Sequence, residues 1–166
     1  MEKSFEEKHL QKLIDPKDLQ NKIEEIKKSG KTIATLNGSF DLLHAGHLHI
    51  LYEASKKGDV FIVALNSDSS IKQYKGEKRP IIPLKYRLQM MSAIEFVDFV
   101  TYFDEQDPIK ILDIIKPTIH VNGIEYGENC IEREIVEKNG GKIHLAKRVF
   151  SLSTSNIIEK IKSCDF

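Results

Sequence analysis

The chain has 166 residues, with 25 Lys and Arg balanced by 25 Asp and Glu, 40% hydrophobic residues and 30% charged ones. This is the size of a single domain (residues 1–166), with enough apolar residues for a core, and it excludes compositional disorder. Zero net charge excludes a broad field that would steer the chain onto nucleic acid, so any anion site must be local and no nucleic-acid partner is expected.

The longest uninterrupted apolar run, Val60 to Leu65, falls far short of the ~20 residues that span a bilayer, so no membrane partner is expected. Residues 1–12 alternate charge with single apolar residues and lack the apolar stretch of a secretory leader, which makes the cytoplasm the expected compartment. The two cysteines, Cys130 and Cys164, match neither a zinc knuckle nor a thiol redox motif.

In chain order, Asp15 before Pro16 predicts a helix start, and Leu19, Ile23 and Ile26 continue at helical spacing to Gly30, a helical extension over residues 1–30. Thr32 to Leu36 predicts a buried strand, and Asn37-Gly38-Ser39 a turn after it. A helix from about Gly46 to Lys57, burying Leu48, Leu51 and Tyr52, leads through Gly58 to the strand Val60 to Leu65. The alternation then repeats, with helices near 84–93, 108–115, 132–138 and 155–162 and strands near 99–102, 119–121 and 142–145. Continuous apolar strands between helices require a parallel sheet covered on both faces. The expectation is therefore an α/β, Rossmann-like three-layer sandwich of about five parallel strands, its core spanning 31–162. Such sheets bind ligands beyond the carboxyl ends of their strands, which selects the loops 37–46, 66–83, 122–129 and 148–155.

Three of the six histidines, His44, His47 and His49, fall within six residues at the end of the first of these loops. A spacing of three puts the imidazoles of His44 and His47 on one helical face, beside unpaired N–H groups and the positive end of the helix dipole, a place for phosphate. Gly38 lets the backbone approach a ligand and Gly46 lets the helix approach the sheet. The plainer readings are capping or core histidines, or a two-histidine metal site. No acidic or cysteine third ligand lies at a natural spacing, so no protein-held metal is expected. The GxxxxGK[ST] and GxGxxG phosphate motifs are absent. A second feature is basic: Lys72, Lys75, Lys78, Arg79, Lys85 and Arg87 against Glu77 give +5 across residues 72–87, which suits a triphosphate.

Gly38, Phe40, Asp41, His44, Gly46 and His47 stand as GxFDxxHxGH, the signature that the cytidylyltransferase-like nucleotidyltransferases carry. The chain resembles that family from about Lys31 to Ile161. The stretch Lys75 to Arg87 is similar to the KGxxRPxxP…R loop of its bacterial sugar-phosphate members, and Arg148 to Ser155 to its RTxGISTT element, with Ser151 in place of glycine and Ser155 in place of the second threonine. Val121 to Tyr126 resembles the VKGGDY stretch of heptose 1-phosphate adenylyltransferases, with Asn122, Ile124 and Glu125 as departures.

The resemblance implies transfer of a nucleoside monophosphate from ATP or CTP to a small phosphorylated acceptor, with release of pyrophosphate. ATP and heptose 1-phosphate are the favoured pair. The alternatives are a cytidylyltransferase acting on glycerol 3-phosphate and a nucleotide-binding sensor without turnover. Magnesium is implied on the triphosphate, and a homodimer is implied by relatives. By the same resemblance His44, His47, Lys75 and Arg79 are the catalytic candidates. Asn37, Gly38, Ser39, Phe40, Gly46, Asn122, Gly123, Glu125, Tyr126, Arg148, Ser153, Thr154 and Ser155 are the nucleotide-binding candidates. Asp41, Asn66, Asp68 and Arg87 are the acceptor-binding candidates, Asp41 with the further expectation that it bonds loop N–H groups. Capping of the last helix by Ser153 or Thr154 is the plainer reading of those hydroxyls.

Overall fold

The computed structural model describes residues 4–127, 129–147 and 152–164. Five strands, β1 (Ile33–Gly38), β2 (Val60–Asn66), β3 (Phe99–Phe103), β4 (Ile119–Gly123) and β5 (Lys142–Ala146), form one parallel sheet in the order β3-β2-β1-β4-β5. The helices are α1 (Phe5–Lys12), α2 (Leu19–Lys28), α3 (Ala45–Ser55), α4 (Asp68–Lys75), α5 (Leu84–Ser92), α6 (Ile109–Ile115), α7 (Arg133–Lys138) and α8 (Thr154–Lys162), with a 3₁₀ turn at Ile124–Tyr126. The expected Rossmann-like sandwich is the fold observed.

Alternation of side chains along each strand divides the core in two. Ala34, Leu36, Val63, Leu65 and Val121 meet Leu51 and Ala54 of α3 and Leu88 and Met91 of α5 on one face. Ile33, Ile62 and Ala64 meet Ile23 and Ile26 of α2 and Ile111 and Ile115 of α6 on the other. Every residue of β2 is buried, as a central parallel strand requires.

Several elements differ from expectation. Asp15 does not cap a helix at Pro16; its side chain accepts from the Lys17 N–H at 3.0 Å in a turn, and α2 begins at Leu19. An unexpected helix, α1, precedes that turn. Ser4 and Glu7 make a reciprocal capping box at its start, and His9 reaches Ser92 of α5 in a buried hydrogen bond. The chain then donates the Ile14 N–H to Val100 O at 2.8 Å and so covers the outer edge of β3. The loop 66–83 contains α4, capped by Ser67, whose hydroxyl accepts from the Ser70 N–H. Asn37 and Gly38 end β1, in register with Ala64 and Leu65, and the turn starts later. On α3 Leu51 is buried as expected, but Leu48 is 45% exposed and Tyr52 52%. That helix packs through a narrower stripe, and Tyr52 lies edge-on to Phe96 with the Lys56 ammonium over its ring.

Candidate nucleotide site

Strand order reverses direction between β1 and β4, and there the sheet parts. These strands pair in register only at Ala34 with Ile119 and Thr35 with His120, whereas β1 and β2 pair over six positions. Beyond Thr35 and His120 the carboxyl ends of β1 and β4 open into a cavity of about 370 Å³. Its volume falls within the ~300–1,000 Å³ usual for small-molecule sites. The walls are Asn37, Gly38, Ser39 and Phe40 after β1, His44, Gly46 and His47 at the start of α3, Lys75 at the end of α4, Asn122, Gly123, Glu125 and Tyr126 after β4, and Ser153, Thr154 and Ser155 at the start of α8.

The histidines are placed by the backbone. Phe40 adopts φ of 45°, in the left-handed region, and its ring stands edge-on to His47 at 5.4 Å. His44 is the N-cap of α3, and the two imidazoles stack with centroids 3.8 Å apart. A Cβ at Gly46 would lie 3.0 Å from the His44 ring, so glycine is what lets that ring fold over the helix start. Burial is the main reason that His47 is pushed down to about 4, with the His44 and Lys75 charges acting in the same direction and the Leu42 carbonyl opposing them. His47 Nδ1 is buried without a hydrogen-bond partner among the described residues. Lys75 donates to Ser39 Oγ at 2.7 Å, and desolvation lowers its affinity for the proton.

None of the four acceptor-binding candidates is among the residues that line the cavity, and each is engaged within the protein. Asp41 is 2% exposed and spends its carboxylate on the Ile81 and Ile82 N–H groups and on Arg79; the expectation that it bonds loop N–H groups describes it. Arg87 is fully buried and donates from Nε to Ile82 O, from Nη1 to Ser39 O and Asn66 O, and from Nη2 to Asp68 Oδ1. Asp68 also accepts from the Leu84 N–H, and the Asn66 side chain donates to Ser70 Oγ. A guanidinium with four acceptors already in place has no fork left for a ligand.

Arg79 likewise stands outside the cavity wall. Its Nε donates to Asp41 Oδ2 at 2.7 Å, and its Nη2 makes a 2.6 Å ionic contact with the same oxygen without hydrogen-bond alignment. Arg148 lies outside the described residues. The remaining candidates share one cavity. Sequence reasoning passed over Leu36, Ile50, Ala146, Lys147 and Leu152, which also line it. The rule that strand carboxyl ends face the ligand marks Leu36, Ala146 and Lys147. His49 is exposed and lines the cavity.

The end of the cavity at β4 is built on Asn122 and the turn that follows. Asn122 donates from Nδ2 to Glu132 Oε2 at 3.1 Å, and its Oδ1 accepts from the Gly123 N–H. Ser153 caps α8 by accepting from the Asn156 N–H at 3.1 Å, so the plainer capping reading of this hydroxyl holds. Burial raises the Tyr126 hydroxyl pKa, with Glu125, Tyr74 and Glu132 adding to the shift. No cluster of three metal-binding side chains occurs among the described residues, and none of their helices is long and apolar enough to cross a membrane.

An open parallel sheet with a donor-lined crevice at its switch point defines a nucleotide-binding α/β protein of the Rossmann-like class. Residues 35–166 match the cytidylyltransferase-like family, and the chain belongs to that family and so to the nucleotidyltransferases. It is 44% identical over 135 residues to the bifunctional protein HldE of Citrifermentans bemidjiense, covering 81% of this chain and 28% of that protein. It is 44% identical over 138 residues to the HldE of Campylobacter fetus, covering 82% and 29%. The chain thus spans under a third of the length of these relatives. The crystal structure of a lipopolysaccharide core biosynthesis protein from Thermoplasma volcanium superposes with a TM-score of 0.59 at 30% identity, covering 72% of this chain and 97% of that one. A pantoate-β-alanine ligase from Francisella tularensis, at 16% identity and a TM-score of 0.57, shares the fold.

Proposed function

We propose that this chain is an adenylyltransferase that transfers AMP from ATP to a heptose 1-phosphate, giving ADP-heptose and pyrophosphate. The observation that carries the reading is the stacked His44–His47 pair over the α3 N-terminus, gathered with Lys75 in a crevice of nucleotide size. The likeness to HldE proteins and to a lipopolysaccharide core biosynthesis protein supports the sugar-phosphate acceptor. The match to a cytidylyltransferase-like family supports the second reading, CTP with glycerol 3-phosphate.

In the reaction an acceptor phosphate oxygen attacks the α-phosphorus in line, the α–β bridging bond breaks, and pyrophosphate leaves with the electron pair. The nucleophile is already anionic, so no general base is needed, and positioning and charge stabilisation supply the rate. Imidazole N–H groups, the Lys75 ammonium and the helix N-termini are donors suited to charge gathering at the bridge. Magnesium enters as part of the triphosphate substrate, held by phosphate oxygens and water. A homodimer, which rests on the resemblance, and a cytoplasmic location belong to the same proposal.

Pyrophosphate release with magnesium and either ATP or CTP, each against heptose 1-phosphate and glycerol 3-phosphate, tests it. Release with ATP and heptose 1-phosphate alone is expected; release only with CTP moves the chain to the second reading. His47→Ala is expected to lower turnover by two or more decades with the fold intact by circular dichroism, and near-normal turnover refutes its role.

A further inference from the structure

The cavity is electrically two-ended. His44, His47, Lys75 and the starts of α3 and α8 gather donors at one end. At the other, the residues closing β4 gather acceptors. Glu132 is 6% exposed, lies behind the wall, and accepts from Asn122 Nδ2 at 3.1 Å. A carboxylate can only accept, so its position dictates how the Asn122 amide faces. The nitrogen points into the protein, and Oδ1 sits on the N–H of Gly123, which lines the cavity. The Glu125 carboxylate lies against the same glycine, where any added Cβ would overlap it. An end made of amide and carboxylate oxygens repels phosphate and accepts the neutral, donor-bearing part of a nucleotide.

We propose that Glu132 is a positioning residue for base selection. By holding the Asn122 nitrogen and leaving the amide oxygen on the Gly123 side, it favours bases that carry an amino group, adenine or cytosine, over their oxo counterparts, hypoxanthine and uracil. An oxo base would set its carbonyl against the Asn122 oxygen, which already holds the Gly123 N–H, and would itself gain no hydrogen bond there, the arrangement that polar sites reject most strongly. Neither Glu132 nor the orientation of Asn122 is visible in the sequence signature, and the inference rests on the nucleotide reading above.

Equilibrium binding of magnesium complexes of ATP, ITP, CTP and UTP to the full chain, measured by calorimetry, is the test, with inorganic tripolyphosphate as a base-free control. The wild-type chain is expected to prefer ATP over ITP and CTP over UTP by about tenfold or more. In Glu132→Gln, whose amide can donate or accept, both ratios should fall to within about threefold, while tripolyphosphate affinity is kept. A residue of merely structural importance would weaken all four nucleotides together and leave the ratios unchanged. Asn122→Ala removes the acceptor itself and should abolish the ratios in the same way, so the test stands if Glu132→Gln misfolds. A wild-type chain that binds every triphosphate without discrimination overturns this inference alone, as does a ratio retained in both variants. A chain that binds no triphosphate overturns the nucleotide reading as well.

Discussion

Burial lowers the proton affinity of His9, His47 and His120, and at the last two the consequences differ. His47 lines the crevice, where an arriving polyanion would offset the desolvation that keeps it neutral. His120 sits on β4 with no exposure, bonded through Nδ1 to Thr35 Oγ1 at 2.8 Å, its Nε2 without a partner among the described residues. Burial pushes it down to about 3 from 6.5, so between those values the unfolded chain binds a proton that the folded chain does not. The folded state therefore loses stability as pH falls below 6.5, by at most about 1.4 kcal/mol per pH unit from this group. Urea denaturation of wild type and His120→Leu between pH 7 and 4 checks it: the variant should show the shallower acid dependence, and parallel curves contradict the argument.

At the scale of elements, two ion pairs, each with one fully buried partner, fasten the 76–83 segment to the strand ends that carry the site. Asp41 gathers Arg79 and two backbone N–H groups, and Arg87 gathers the carbonyls of Ser39, Asn66 and Ile82 with the Asp68 carboxylate. Removing one partner of such a cluster leaves the rest buried and unpaired, at a cost of about 3–5 kcal/mol. Arg87→Met is expected to lose that much stability in urea and to loosen the Ser39 wall of the cavity; a change within about 1 kcal/mol would show that the network is replaceable. This network also shows what the sequence does not reveal of Arg79 and Arg87. Their spacing in the KGxxRPxxP…R segment is visible, but which acceptors close around each guanidinium depends on β1, β2 and α5 meeting in space. The helices α1 and α4 escaped for a related reason: both are short and polar and are held by caps, at Ser4 and Ser67, more than by an apolar stripe.

For the whole molecule, the alternation of apolar strands and helices was enough to announce a parallel sheet, because strands buried on both faces leave an unbroken apolar run such as Val60 to Leu65. The histidine end of the cavity was legible too, since glycines and histidines at a strand-to-helix turn have few other uses. The end at β4 was less legible. Asn122 reads as a departure from a motif until Glu132, ten residues further on, is seen to fix its amide. What joins these levels is the parting of β1 and β4 after Thr35 and His120, which creates the crevice and puts donors on one side of it and acceptors on the other. Phosphorus NMR of the chain with magnesium, ATP and heptose 1-phosphate tests that account most directly. Loss of the sugar monoester signal, with two coupled diphosphate signals and free pyrophosphate appearing together, is the predicted result. An unchanged sugar phosphate, or ATP cleaved to ADP and orthophosphate, would contradict it.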